Sequence, residues 1–364
     1  MDHAGRLARF RQMMDADGLD GYWVVDAANV RYLTGFTGHD STLAVTGAQC
    51  VLITDSRYAE QAEREACVDR VISRQTPMAA VVGTVCKDGG VKRLGVTAAN
   101  VTHAHYEAAV AACDPAQVVS RTEGIAEKMR MCKDADEVAA IRAALGVAEA
   151  AFQDVLGRIG PGRSERWLAA RLDYEMRVRG AEGAAFETIC AAGPRASMPH
   201  AVSGDALIEA DSAVLIDWGA RLDGYCSDLT RVVGTGTIPI SLYGLVEVVL
   251  DAQEAVFGCL KPGSRCGDAD AAGRAVIAKA GYGDRFGHGV GHGVGLAVHE
   301  GPRLGPSSDT LLLPGMVVTV EPGIYLPGEA GVRIEEMVVI TAEGHQRLSS
   351  LPRRPDGLVA PDPA

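Results

Sequence analysis

Residues 134 to 352 run twice through one order of elements: helix, helix, strand, strand. In the first round Asp134 and Glu137 form a capping box, and Val138, Ile141, Leu145, Phe152 and Val155 keep helical spacing up to Gly160-Pro161-Gly162. Ser164 then caps a helix that runs through Trp167, Leu168, Leu172 and Met176 to Gly180. Strand patterns follow at 212–219 and 224–234, joined by a turn containing Asp223-Gly224. In the second round helical patterns at 242–260 and 268–280 flank Pro262-Gly263, and strand patterns cover 315–323 and 331–341. Overlaid, Pro161-Gly162 falls on Pro262-Gly263 at an offset of 101, Asp217 on Glu321 at 104, and Asp228 on Glu335 at 107.

Each half therefore brings one carboxylate near the end of its first strand and one inside its second. The reading is an α+β domain over 134–352 with an internal duplication, closed around one acidic face. Hairpin parity tests this. An even loop after Asp217 puts Asp217 and Asp228 on one face, and a loop of Leu222 and Asp223 would set them directly opposite. Glu321 and Glu335 need an odd loop or a bulge to share a face.

Ahead of the duplication, strand patterns at 21–26, 41–47, 49–55, 79–85 and 93–97 alternate with helical ones such as 56–66 and 105–113. That alternation predicts a separate α/β domain over 1–126. A chain of 364 residues is long enough for two cores. The net charge of −12 argues against nucleic acid or an anionic membrane as the main partner. No segment is apolar for the length of a bilayer, and MDHAGRLARF lacks the apolar core of a signal peptide. Nine cysteines, an odd number without a CxxC, fit a reducing cytoplasm.

Four carboxylates on one concave face resist joint ionisation, and divalent cations remove the conflict. Oxygen ligands with one imidazole suit Mn²⁺, Co²⁺ or Zn²⁺. The stretch GHGVGHGVGLAVHE (287–300) can supply that imidazole. Its glycines allow close backbone approach and positive φ. GxGxxG is absent from it, and His299-Glu300 is followed by Gly301, Pro302 and Arg303, so HExxH is absent too.

The strings IDWGARLDGYCSDLTR (216–231), GHGVGLAVHEGP (291–302), TVEPGIY (319–325) and GVRIEE (331–336) resemble the M24 pita-bread metallopeptidases, in the prolidase and aminopeptidase P branch. GLDGYWVVDAANVRYLTGFTG (18–38) is similar to the creatinase-like N-terminal domain of that branch. The resemblance implies metal ligands at Asp217, Asp228, His292, Glu321 and Glu335, with Glu321 also the general base. It implies His299 and His200 as further catalytic residues, and His288, Arg333 and Tyr325 as substrate contacts. It implies two divalent ions, Mn²⁺ first with Co²⁺ or Zn²⁺ as alternatives, a homodimer, and hydrolysis of the bond before a proline in second position. Ala192, Arg195 and Glu336 depart from that pattern, at positions where Ser, Asn and Asp are common. The competing readings are a catalytically inactive peptide-binding protein and another pita-bread hydrolase such as a creatinase-type amidinohydrolase. The complete ligand set weighs against both.

Overall fold

The computed structural model describes residues 1–354. They form two compact units, Met1–Arg130 and a second that begins at Met131. The first is built on a six-stranded mixed sheet in the order Arg70–Ser73, Cys50–Thr54, Thr42–Thr46, Gly21–Val24, Arg93–Thr97, Gln117–Arg121. The apolar run 79–85, read above as a strand, is instead part of the helix Met78–Asp88. Ala79, Val82, Val85 and Cys86 are buried at helical spacing. Gly83 lets the helix lie on its neighbour His103–Cys113, because a Cβ there would sit 2.3 Å from the Ala112 carbonyl oxygen. No helix among the described residues is long and apolar enough to cross a membrane.

The second unit repeats its order as expected. The helices Ala135–Leu156 and Glu165–Val178 precede strands Ala213–Trp218 and Leu229–Gly234. The helices Ile240–Phe257 and Cys266–Lys279 precede strands Val317–Val320 and Glu336–Ile340. The capping box closes in both directions: the Glu137 N–H donates to Asp134 Oδ1 at 2.9 Å, and the Asp134 N–H donates to Glu137 Oε2 at 3.1 Å. Phe152 stacks on Trp218 with centroids 4.5 Å apart, and the Trp218 indole donates to the Ala148 carbonyl. The first helix thereby grips the strand at the residue after Asp217.

Register decides how the acidic side chains meet. Asp217 lies across from Thr230, and beyond the interruption Leu222 lies across from Tyr225. The two-residue loop is Asp223-Gly224, with φ of 45° and 74°, the twist a tight hairpin needs. Asp217 and Asp228 therefore share a face, but Asp228 stands one same-face step away from the residue opposite Asp217. The directly opposed arrangement assumed the wrong loop pair. In the second hairpin Val320 pairs with Glu336 and Gly323 with Arg333, which sets Glu321 across from Glu335. Its loop, between the pair Leu326 and Ala330, has the odd length that parity demanded. By register Thr230, rather than Asp228, is the counterpart of Glu335.

Candidate metal centre and active site

A cavity of about 720 Å³ opens over these hairpins, within the range typical of small-ligand clefts. Asp217, Asp228, His292, Glu321 and Glu335 all line it. His292 stands on the short strand Gly291–Gly293, inserted between Glu300–Leu304 and Val317–Val320. The flanking glycines serve close approach and not unusual φ. A Cβ at Gly291 would lie 2.1 Å from the Thr319 carbonyl oxygen, and one at Gly293 would lie 2.1 Å from that of Gly301. No glycine from 287 to 295 has positive φ.

The ring of His292 is oriented from behind. Its Nδ1–H donates to the Gly293 carbonyl at 3.1 Å, which turns Nε2 toward Glu321 Oε1 at 3.3 Å and Asp228 Oδ2 at 3.6 Å. Ligand atoms of Asp228, His292 and Glu335 fall within 4.8 Å of one another. Two hydroxyls hold the glutamates: Thr319 donates to Glu321 Oε1 at 3.3 Å, and Thr230 donates to Glu335 Oε2 at 2.8 Å. Asp217 Oδ2 takes a 2.6 Å bond from Arg333.

Two buried oxygens, Asp217 Oδ1 and Glu335 Oε1, have no hydrogen-bond partner. A buried carboxylate oxygen left bare is costly, and a cation is the partner that answers it. The oxygen-rich set with one imidazole therefore fits the divalent ions that the fold implies.

Proton chemistry points the same way. Burial, then the neighbouring carboxylates, pushes Asp228 and Glu335 well above the usual carboxylate range. Burial also raises Asp217, against the pull of Arg333. Burial pushes Glu321 up as well, but its contact with His292 and the surrounding positive charges win and lower it to about 2. His292 is raised, because Glu321 outweighs the burial that would lower it. Without cations the cluster thus keeps its protons to higher pH than the same carboxyls would in an unfolded chain. Cation binding displaces them, so affinity falls as pH falls.

His299 faces His292 with ring centroids 4.4 Å apart, and burial, then the charge of His292, lowers it and favours its neutral form. His200 lines the same cavity from the segment after Gly193–Ser197. Arg195, one of the departures, pairs there with the fully buried Glu165 and donates to the Val202 carbonyl. Glu165 also accepts the Ala192 and Gly204 N–H groups, so this pair fixes the segment carrying His200. A further departure, Glu336, pairs at 2.6 Å with Arg231, itself fully buried.

The three expected substrate contacts form one chain in the wall. Arg333 donates to Asp217, Thr230, Tyr325 and the Pro199 carbonyl. The Tyr325 hydroxyl reaches His288 Nε2 at 2.8 Å, and His288 Nδ1 donates to the Gly289 carbonyl. Tyr325 does not line the cavity: it is 6% exposed, with its hydroxyl held between Arg333 and His288. Arg333 and His288 do line it, with their polar atoms turned to these neighbours.

Arg303 was not singled out by the sequence. It lines the cavity on the strand Glu300–Leu304 and is exposed, and its side chain has no hydrogen bond or ion pair among the described residues. Its only sequence signal is its place four residues after His299, two strand periods along.

The chain is similar to known proteins along most of its length. An uncharacterized peptidase of Bacillus subtilis is 39% identical over 348 residues, covering 96% of this chain and 98% of the relative. A Pyrococcus horikoshii protein named Xaa-Pro dipeptidase is 32% identical over 349 residues, covering 96% and 97%. Among solved structures, one titled Xaa-Pro dipeptidase from Bacillus anthracis superposes with a TM-score of 0.92 at 37% identity, covering 97% of this chain and 99% of that one. One titled X-Pro aminopeptidase from Thermotoga maritima gives 0.87 at 35%, covering 95% and 99%. The creatinase/prolidase N-terminal domain matches residues 6–132 and metallopeptidase family M24 matches residues 139–342. With the duplicated hairpins and their buried carboxylates on one cavity, these matches make the chain a member of metallopeptidase family M24.

Proposed function

We propose that this protein hydrolyses the peptide bond before proline in Xaa-Pro dipeptides, with two divalent ions, Mn²⁺ foremost, held by Asp217, Asp228, His292, Glu321 and Glu335. The observation that carries the dipeptide reading is Arg303, a guanidinium on the cavity wall with no hydrogen bond or ion pair among the described residues. A dipeptide ends in a carboxylate one residue from the bond to be cut, and arginine is the side chain suited to hold it. Relatives named Xaa-Pro dipeptidase support the same substrate. The reading includes a cytoplasmic homodimer, on the strength of the family resemblance.

When bound, the cations supply a polarised carbonyl and a water activated at neutral pH. The chain's own residues do the rest. Glu321, ionised, takes the proton of the attacking water and delivers it to the leaving proline nitrogen, so that OH adds to carbon as H adds to nitrogen. Neutral His299 donates to the carbonyl oxygen as its charge develops. His200 contacts the substrate from the facing segment. Phe186, Ile189 and Val202 give the cavity an apolar side.

The test compares Ala-Pro with Ala-Pro-Ala on protein supplied with Mn²⁺. The dipeptide is expected to be cut with the higher kcat/KM. Arg303→Gln should raise KM for the dipeptide about 10- to 100-fold, the worth of a hydrogen bond to a charged group, and change the tripeptide little. Preferential cleavage of the tripeptide would instead favour an X-Pro aminopeptidase. Cleavage of neither would refute the proline assignment.

A further inference from the structure

The second hairpin splits where its glutamates stand. The Glu321 N–H donates to the Val290 carbonyl and the Glu335 N–H donates to the Thr230 carbonyl, so neither N–H serves the hairpin's own ladder. The carbonyls of the preceding residues, Val320 and Ile334, are taken up by one side chain. Gln253, fully buried on the helix Ile240–Phe257, donates to both from Nε2 at 3.0 Å each. Its Oε1 accepts from Arg353 at 2.8 Å. Both carbonyls can only accept and Arg353 can only donate, which fixes which way the amide faces.

A buried amide with its donors and its acceptor all engaged is a spacer. Two bonds of that length from one nitrogen hold the carbonyl oxygens about 5 Å apart at trigonal geometry. Each carbonyl belongs to the peptide group that leads directly into a glutamate. The distance between Glu321 and Glu335 across the open ladder is therefore set from the helix behind it. Register and threonine contacts alone would leave that gap free to close or widen.

We propose that Gln253 is a positioning residue that sets the Glu321–Glu335 spacing for divalent cations; this rests on the metal-centre reading given above. Gln253→Met keeps the length and apolar stem but removes both donors. Arg353→Ala removes the bond to Oε1 and leaves both donors in place. Affinity is read by titrating Mn²⁺ alone into stripped protein against a competing chelator, with the melting temperature of each stripped variant as the measure of folding.

Gln253→Met is expected to weaken Mn²⁺ binding about 10- to 100-fold, the range for residues that orient ligands. Arg353→Ala is expected to lower the melting temperature and bind Mn²⁺ close to wild type. Wild-type affinity in Gln253→Met would overturn the proposal. So would equal weakening in both variants, which would make the effect one of general stability. If Gln253→Met does not fold, Gln253→Glu makes the same test, since it keeps the Arg353 partner and presents oxygens to the two carbonyls. Failure of the wild-type protein to bind Mn²⁺ would instead refute the metal centre itself.

Discussion

Asp228→Ala is expected to reduce Xaa-Pro hydrolysis by at least about a thousandfold, because residues that act as a unit lose most of their effect with one member. Asp228 is 5% exposed, and its Oδ2 lies 3.6 Å from His292 Nε2, in the group that also holds Glu335. The variant should not fail by misfolding. Burial and three surrounding carboxylates raise Asp228, so its folded-state pKa exceeds its unfolded one and the stripped wild-type protein loses stability as pH rises through that value. Alanine removes that burden. Stripped Asp228→Ala should therefore melt at or above stripped wild type near neutral pH, while added Mn²⁺ stabilises the wild type far more. Turnover and melting measured on the same preparations check both halves. A variant that keeps wild-type turnover would refute the role of Asp228.

Glu321→Gln should lower kcat by about 10²- to 10⁴-fold, the usual worth of a positioned proton acceptor. The substitution keeps size and one oxygen, and Thr319 can still donate to it. What disappears is the carboxylate that receives the proton, one that contact with His292 holds at about 2 against the pull of burial and so keeps ionised near neutral pH. KM should move much less than kcat, because the Arg303 contact is untouched. Metal content measured alongside separates lost proton transfer from lost cations. A kcat within a few-fold of wild type, with metal retained, would remove Glu321 from the proton path.

The acidic face was legible in the sequence because strand parity is arithmetic. The odd loop between Leu326 and Ala330 and the shared face of Asp217 and Asp228 both followed from counting by twos. Asp228's exact partner did not follow, since the turn pair Asp223-Gly224 is fixed by backbone φ and not by parity. The run 79–85 misled because an apolar stretch of that length fits a buried strand or one face of a helix equally. The edge strands Arg70–Ser73 and Gln117–Arg121 carry too little burial to show an apolar pattern.

Side chains whose role depends on distant segments were the hardest to see. Gln253 acts across 67 and 81 residues of sequence, and nothing in its own helix marks it. Tyr325 stands two strand periods from Glu321, yet its hydroxyl is claimed by Arg333 and His288. Arg303 was passed over, because an arginine on an exposed strand position stands out only once the cavity beside it is known.

The most direct measurement is Ala-Pro turnover by stripped protein as Mn²⁺ is added back in known equivalents. No turnover is expected without metal, with recovery levelling at about two ions per chain, as a two-metal site requires. More metal should be needed to reach that plateau at lower pH, where the carboxyl cluster keeps its protons. Full turnover by the stripped protein, or none at any metal level, would contradict the account.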